Sequence, residues 1–113
     1  MDLGIFSISL SVKDIQVSKD FYEKLGFTHL QGGGSVEEKW LILTHGNIKI
    51  GLFQDMFPKN TLTFNPSNAR EISEHLKSNN IEFLYQSGLD KEEGACSFSF
   101  LDPDGNPILF DQY

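Results

Sequence analysis

Apolar and polar residues alternate along the first segment of the chain. Between Ile5 and Val12, apolar side chains are separated by serines at positions 7, 9 and 11. A period of two predicts a β-strand with one buried face and one polar face. Asp14 can then cap a helix, which Gly26 can end in the left-handed conformation. The inward stripe expected on this helix comprises Ile15, Ser18, Tyr22 and Leu25, widened by Phe21.

Three more strands are predicted in this half of the chain, at residues 27–30, 40–43 and 48–53. The glycine run at 32–34 is interpreted as a flexible loop, because it lacks the Lys-Ser/Thr of a phosphate-binding loop. The second half repeats the order, with strands at 61–64, 81–85, 95–101 and 107–111. Ser67 or Asn68 can cap the second helix, and Asn79 and Asn80 can end it. The longer second half is expected to carry its additional residues in the loop at 87–94.

This repetition favours duplication of a β-α-β-β-β unit, with modules at about residues 3–57 and 59–113 of a single domain. The predicted class is α+β. Each helix can cover only one face of its sheet, so the other face is expected to stay open. Two tandem βαβββ modules side by side would form a half-open mixed β-barrel, with the helices outside and a pocket inside.

The amino-acid composition limits the classes of function that are expected. The chain has 113 residues, 39% of them hydrophobic, and a formal net charge of −7. The acidic balance argues against nucleic acid binding, which needs a basic footprint. No apolar run approaches the roughly 18 residues of a membrane span, and no signal peptide is evident. We therefore expect a cytoplasmic protein. Cys96 is the only cysteine, which excludes an intrachain disulfide, and it is predicted to be buried and unreactive.

Two segments resemble a known family. Residues 20–27 read Asp-Phe-Tyr-Glu-Lys-Leu-Gly-Phe, and residues 102–106 read Asp-Pro-Asp-Gly-Asn. In this order and at this separation they resemble the vicinal-oxygen-chelate superfamily, which includes glyoxalase I, bleomycin-resistance proteins and extradiol dioxygenases. The resemblance covers nearly the whole chain. It implies His and Glu metal ligands at four strand positions.

Those four positions carry no such ligands in this chain. The corresponding residues are Ser7, Gly51 (or Ile50, if the turn slips by one), Thr61 and Leu109. Serine and threonine are poor ligands for zinc, nickel or iron, and the other side chains have no donor. The three histidines, at positions 29, 45 and 75, fall on unlike elements. We therefore predict no metal cofactor and no catalytic residue.

Strand alternation predicts what lines the open faces instead. The residues expected to bind a ligand there are Ser7, Ser9, Trp40, Thr61, Thr63, Ser99, Leu109 and Asp111. Hydroxyls can orient a polar ligand, and Trp40 can stack on a flat one. Asp102 and Asp104 are interpreted as turn formers.

Three functions remain open from the sequence. The favoured hypothesis is a metal-free protein that binds a small flat or hydrophobic molecule. The alternatives are a metal-dependent lyase, thiol transferase or dioxygenase, and a structural or regulatory dimer without a ligand. A homodimer is expected in any case, because pairing lets a small domain bury more apolar surface.

Overall fold

A computed structural model of the protein describes residues 1–113. Its elements are β1 (Ile5–Val12), α1 (Ile15–Lys24), β2 (Thr28–Ser35), β3 (Trp40–His45), β4 (Ile48–Gln54), β5 (Thr61–Asn65), α2 (Ala69–Ser78), β6 (Tyr85–Ser87), β7 (Cys96–Leu101) and β8 (Pro107–Gln112). The chain forms two compact units. The first unit is Ser7–Thr61, and the second is Leu62–Tyr113 together with Met1–Phe6.

Each unit contains a mixed four-stranded sheet and one helix. The strand order is β2-β3-β4-β1 in the first unit and β5-β8-β7-β6 in the second. β1 pairs in parallel with β4, as β5 does with β8, and the other neighbours within each unit are antiparallel. The predicted α+β class and the tandem β-α-β-β-β order are confirmed.

The two helices begin in the same way. The Asp14 side chain accepts hydrogen bonds from the backbone N–H groups of Gln16 and Val17, and the Asn68 side chain accepts one from Glu71. A glutamine at the end of the last strand adds a further acceptor in each unit. Gln54 Oε1 accepts from Ile15 N–H at 2.9 Å, and Gln112 Oε1 accepts from Ala69 N–H at 2.7 Å. The first N–H groups of a helix have no partner within the helix, and in both units a glutamine at a strand end supplies an acceptor for one of them.

A hydrophobic core lies between the helix and the sheet of each unit. In the first unit it consists of Ile15, Leu41, Leu43, Ile50 and Leu52. In the second it consists of Ala69, Ile72, Cys96, Phe98, Phe100 and Phe110. The last three rings stack, with Phe98 and Phe110 centroids 5.2 Å apart. Cys96 is buried, as predicted.

Part of the predicted α1 stripe is wrong. Ile15 is buried, and Ser18 and Tyr22 are half-buried, but Phe21 and Leu25 are 56% and 57% exposed. Phe21 lies about 100° around the helix from Tyr22, so it leaves the face that packs on the sheet.

The glycine run is strand rather than loop. β2 continues through it to Ser35, with a bulge between His29 and Gly34. Gly32 and Gly34 have φ values of +79° and +73°, which glycine adopts without strain. The bulge retains pairing with β3 while the backbone changes direction.

The predicted strand at 81–85 is also corrected, because β6 covers only Tyr85–Ser87. The N–H of Ile81 donates to Leu76 O at the end of α2, so its backbone is not available to a sheet. Pairing begins when Leu84 N–H donates to Ser99 O at 2.9 Å. Ile81 and Phe83 still pack against the core.

Candidate functional site

Each sheet has a face turned away from its helix, which we call the open face of that unit. In the first unit it carries the serines of β1 and their lateral neighbours. Ser9 pairs with Gly51, which pairs with Ile42; Ser11 pairs with Phe53, which pairs with Trp40. Trp40 therefore lies on this face. Ser7 and Ser9 are buried, whereas Trp40, Ile42 and Phe53 are half-buried.

Aromatic rings dominate the outer part of this face. Trp40 and Phe53 are direct cross-strand partners, and Phe57 packs against Phe53 with ring centroids 4.9 Å apart. Two hydrogen bonds hold the segment that carries Phe57. The Ser11 hydroxyl donates to Phe57 O at 2.7 Å, and Ser11 N–H donates to Asn60 Oδ1 at 2.9 Å. We call Trp40, Phe53 and Phe57 the aromatic cluster.

Glycines make room for these rings. A Cβ on Gly34 would lie 2.6 Å from Cδ2 of the Trp40 indole, and one on Gly51 would lie 2.5 Å from Cε2 of Phe53. A Cβ on Gly33 would lie 2.8 Å from Cβ of Ile42. Real Cβ atoms do not approach neighbours so closely, so each glycine permits a side chain of the open face to pack on backbone.

The open face of the second unit is more polar. Thr63 pairs with Leu109, which pairs with Ser99, and Asp111 pairs with Ser97. Thr63 is buried, and the other four are half-buried. By register, the residue equivalent to Trp40 in this unit is Ser97, not Ser99. The difference arises because the β7–β8 turn contains more residues than the β3–β4 turn.

Two tyrosines and an acid lie at the edge of this second face. The Ser97 hydroxyl and the Tyr85 hydroxyl are 3.3 Å apart. Partial burial raises the pKa of the Asp111 carboxyl above its ordinary value. Most of the Tyr113 ring is exposed, but desolvation of its hydroxyl, followed by the Asp111 carboxylate, raises the Tyr113 pKa.

The four positions that the family resemblance assigns to metal ligands do not fit a metal. Gly51 lies beneath the Phe53 ring, and the Thr61 hydroxyl donates to Lys59 O at 3.1 Å. Ser7 is buried and Leu109 is half-buried. None of these residues supplies the imidazole, thiolate or carboxylate that zinc or iron requires. The absence of a metal cofactor stays a prediction.

The acidic turn is structural, as expected for Asp102. The Asp102 carboxylate accepts hydrogen bonds from the backbone N–H groups of Asp104 and Asn106 and from the Asn106 side chain, at 2.8–2.9 Å. These bonds lower the Asp102 pKa. Asp104 takes part through its backbone N–H. The φ of Gly105 is +86°, a left-handed conformation that glycine adopts without the cost of a Cβ.

A depression of about 260 Å³ opens on the helix side of the first unit, and none of the predicted site residues lines it. It is lined by Gln16, Lys19, His29, Ser35, Val36, Glu37 and Leu41. Lys19, which lines this depression, already has a partner of opposite charge, because its Nζ lies 3.1 Å from Glu23 Oε1. His29 Nε2 donates to Gly33 O at 3.2 Å.

Sequence reasoning did not identify Phe53, Phe57, Tyr85 or Tyr113 as site residues. Strand parity from Gly51 could have indicated Phe53, since residues two apart on one strand share a face. Phe57 lies outside any strand, and tertiary contacts with Ser11 and Phe53 bring it to the face. No helix of the protein has both the length and the apolar character needed to cross a membrane.

Comparisons with known proteins agree with this fold. A comparison with curated protein sequences finds no match. The structure is similar to a glyoxalase/bleomycin resistance protein/dioxygenase superfamily member from Vibrio splendidus 12B01, with a TM-score of 0.71, 18% identity, and 96% of this chain and 97% of that one covered. It is also similar to NAD-dependent benzaldehyde dehydrogenase from Legionella pneumophila, with a TM-score of 0.73, 19% identity and coverages of 95% and 97%.

Methylmalonyl-CoA epimerase from Mycobacterium tuberculosis is similar as well, with a TM-score of 0.65, 12% identity and coverages of 99% and 91%. At such identities the likeness shows the fold alone. The sequence itself matches the family model over residues 4–110. The chain therefore belongs to the Glyoxalase/Bleomycin resistance protein/Dioxygenase superfamily.

Proposed function

We propose that the protein binds a small, flat or hydrophobic molecule against the aromatic cluster of the first unit, without a metal ion. The observation that carries this proposal is the direct pairing of Trp40 with Phe53 on the open face, with Phe57 edge-on to Phe53. All three rings are half-buried. A flat ligand stacked on them removes further apolar surface from water, which stabilises the complex by about 25 cal/mol per Å².

The chemistry of the family's metal positions supports the same proposal. The Phe53 ring lies over Gly51, so apolar surface occupies a place where the resemblance implies a charged ligand. An aromatic surface flanked by serine hydroxyls favours uncharged, planar chemistry over Lewis-acid chemistry. The other side chains proposed to contact this ligand are those that strand parity places on the same open face of the first unit, Ser7 and Ser9.

Calorimetric titration with naphthylmethanol, a neutral planar probe, tests this function. Trp40→Ala should weaken binding by about 1–3 kcal/mol, roughly 5- to 150-fold, because a buried aromatic contact is lost. Trp40→Phe should retain most of the affinity. Ile48→Ala is the matched control, because Ile48 is 50% exposed in the same unit and has the strand parity of the helix side. An unchanged affinity in Trp40→Ala, or an equal loss in Ile48→Ala, would contradict the proposal.

A second candidate function, as a homodimer, is favoured by one observation on α1. Val17, Phe21 and Leu25 are 64%, 56% and 57% exposed, and their spacing of four residues places them in one stripe along the helix. We infer that a second copy of the chain covers this α1 stripe. Exposed apolar stripes of this kind are typical of helix–helix interfaces.

Charge complementarity favours an antiparallel pair of α1 helices about Phe21. Asp20 and Lys24 lie along the same edge of the stripe, since each residue turns the helix by about 100°. A two-fold axis through this contact brings Lys24 of one copy near Asp20 of the other, which an opposite-charge pair favours.

A further inference from the structure

A single carboxylate on the open face of the second unit has no partner of opposite charge. Asp111 is half-buried on β8, and its side chain takes part in neither of the two salt bridges of the protein, which join Lys19 to Glu23 and Lys39 to Asp55. Desolvation by burial raises the pKa of its carboxyl above the ordinary value.

The backbone holds this carboxylate in place. Asn65 Nδ2 donates to the main-chain oxygen of Asp111 at 2.8 Å, which joins β5 to the end of β8. Across the sheet, Asp111 pairs with Ser97, whose hydroxyl lies 3.3 Å from the Tyr85 hydroxyl. Tyr113 lies close enough for the Asp111 charge to raise its pKa. Asp111 therefore lies beside Ser97 across the sheet and near Tyr113, and the hydroxyl of Tyr85 reaches Ser97 from the next strand.

The unpaired carboxylate of Asp111 is not explained by a contribution to the stability of the fold. A partly buried carboxylate without a partner is less stable than the same group in water, and proteins usually pair such groups or replace them. The other acids of the second unit differ, because Asp102 is satisfied by three hydrogen bonds and the rest, among them Asp90 in a loop, are exposed. Groups with desolvated charges on an open face are typical of binding sites.

We propose that Asp111 binds the ammonium group of an organic amine, whose apolar or aromatic part lies against the same face beside Tyr85. The carboxylate supplies a charge-assisted hydrogen bond, and the tyrosine rings supply apolar contact and a π face to the cation. The inference goes beyond the proposed function, because it assigns a charged ligand to the open face of the second unit, whereas the proposed function concerns an uncharged ligand on the first. The net charge of −7 also attracts cations to the protein.

The test compares two probes of one shape, naphthylmethylamine, which is protonated at neutral pH, and naphthylmethanol, which is neutral. Calorimetry should show that the amine binds about tenfold more tightly than the alcohol to the unaltered protein. Asp111→Asn should remove this preference, so that both probes bind with the affinity of the alcohol. Asp90→Asn, which removes the same charge from an exposed loop, should retain it.

The outcomes separate this inference from the proposed function. Equal binding of the two probes to the unaltered protein overturns the amine site and leaves the aromatic cluster standing, provided that Trp40→Ala still weakens both. A preference that persists in Asp111→Asn also overturns it. If neither probe binds, both proposals fail. Thermal melting shows whether each variant is folded, and we expect no loss of stability in Asp111→Asn, because the native carboxylate has no partner to lose.

Discussion

Gly34 offers a direct test of how β2 supports the aromatic cluster. Gly34 and Gly32 belong to the same bulged strand and have nearly equal φ values, +73° and +79°. They differ in what an added Cβ would meet. At Gly34 it would clash first with the backbone oxygen of Trp40, and would lie 2.6 Å from Cδ2 of its indole and 2.9 Å from its backbone carbon, whereas at Gly32 nothing lies within 4 Å. The pair Gly34→Ala and Gly32→Ala therefore separates backbone strain from steric contact with Trp40.

The expected magnitudes follow from these two terms. Alanine in the left-handed region costs about 1–2 kcal/mol, and reduced freedom of the unfolded chain offsets about 0.4–1 kcal/mol of this in both variants. Gly34→Ala adds overpacking, which typically costs about 1–3 kcal/mol. The backbone carbon of Trp40 cannot move as an isolated side chain can, so we expect Gly34→Ala to be less stable than Gly32→Ala by about 1–3 kcal/mol.

Chemical denaturation measured by the emission of Trp40, the only tryptophan, provides the assay. Gly34→Ala should also shift the native emission maximum, because the indole must leave the backbone of β2. Gly32→Ala should leave the emission unchanged. Equal stabilities within about 0.5 kcal/mol, together with equal native spectra, would refute the packing of Trp40 on Gly34.

Three further predictions concern the turn, the carboxylate and the helix. Gly105→Val should lower the free energy of unfolding, measured by chemical denaturation, by about 1–3 kcal/mol, because φ is +86° at this position. Asp104→Asn should change the free energy of unfolding little. A comparable loss in Asp104→Asn would contradict the structural role of the turn. The pKa of Asp111 is raised in the folded protein, so its protonated form contributes stability below about the ordinary value of 3.8. This stability is lost as the pH rises through the folded pKa. Above that pH range, Asp111→Asn should therefore be more stable than the unaltered protein. A flat pH dependence of this difference would contradict the desolvation of Asp111. In sedimentation analysis, Phe21→Glu should convert the dimer to a monomer. Leu84→Glu, at a position of the second unit that is 69% exposed, should leave the dimer intact. If the unaltered protein is already a monomer, the α1 dimer is excluded.

The sequence predicted those features of the fold that depend on local periodicity and capping. β1 follows from a period of two, and α1 from Asp14 and Gly26 at its ends. The end of α2 shows the limit, because Ile81 and Phe83 alternate like a strand but the Ile81 N–H is bound by α2. Their apolar side chains reflect the core that they contact, which is a tertiary property.

The prediction of a loop at the glycine run, residues 32–34, was wrong for a different reason. Glycine in sequence indicates either a loop or a close backbone approach, and these have the same local signature. The side chains that require Gly33 and Gly34 are Ile42 and Trp40, which belong to the next strand. Only the pairing register of β2 with β3 brings them together. The same limit applies to Phe57, which a hydroxyl of β1 holds on the open face.

The two units share one frame but present different chemistry at equivalent places in their sheets. Gln54 and Gln112 cap the helices in the same way, so the duplicated element extends to individual hydrogen bonds. At the equivalent cross-strand pair, the first unit has Trp40 beside Phe53, and the second has Ser97 beside Asp111. Core packing against the helix does not dictate either pair, because both pairs lie on the face that the helix leaves uncovered. Because helix packing leaves these positions free to vary, the divergence of the two pairs agrees with the proposal that the two open faces recognise ligands of different chemistry.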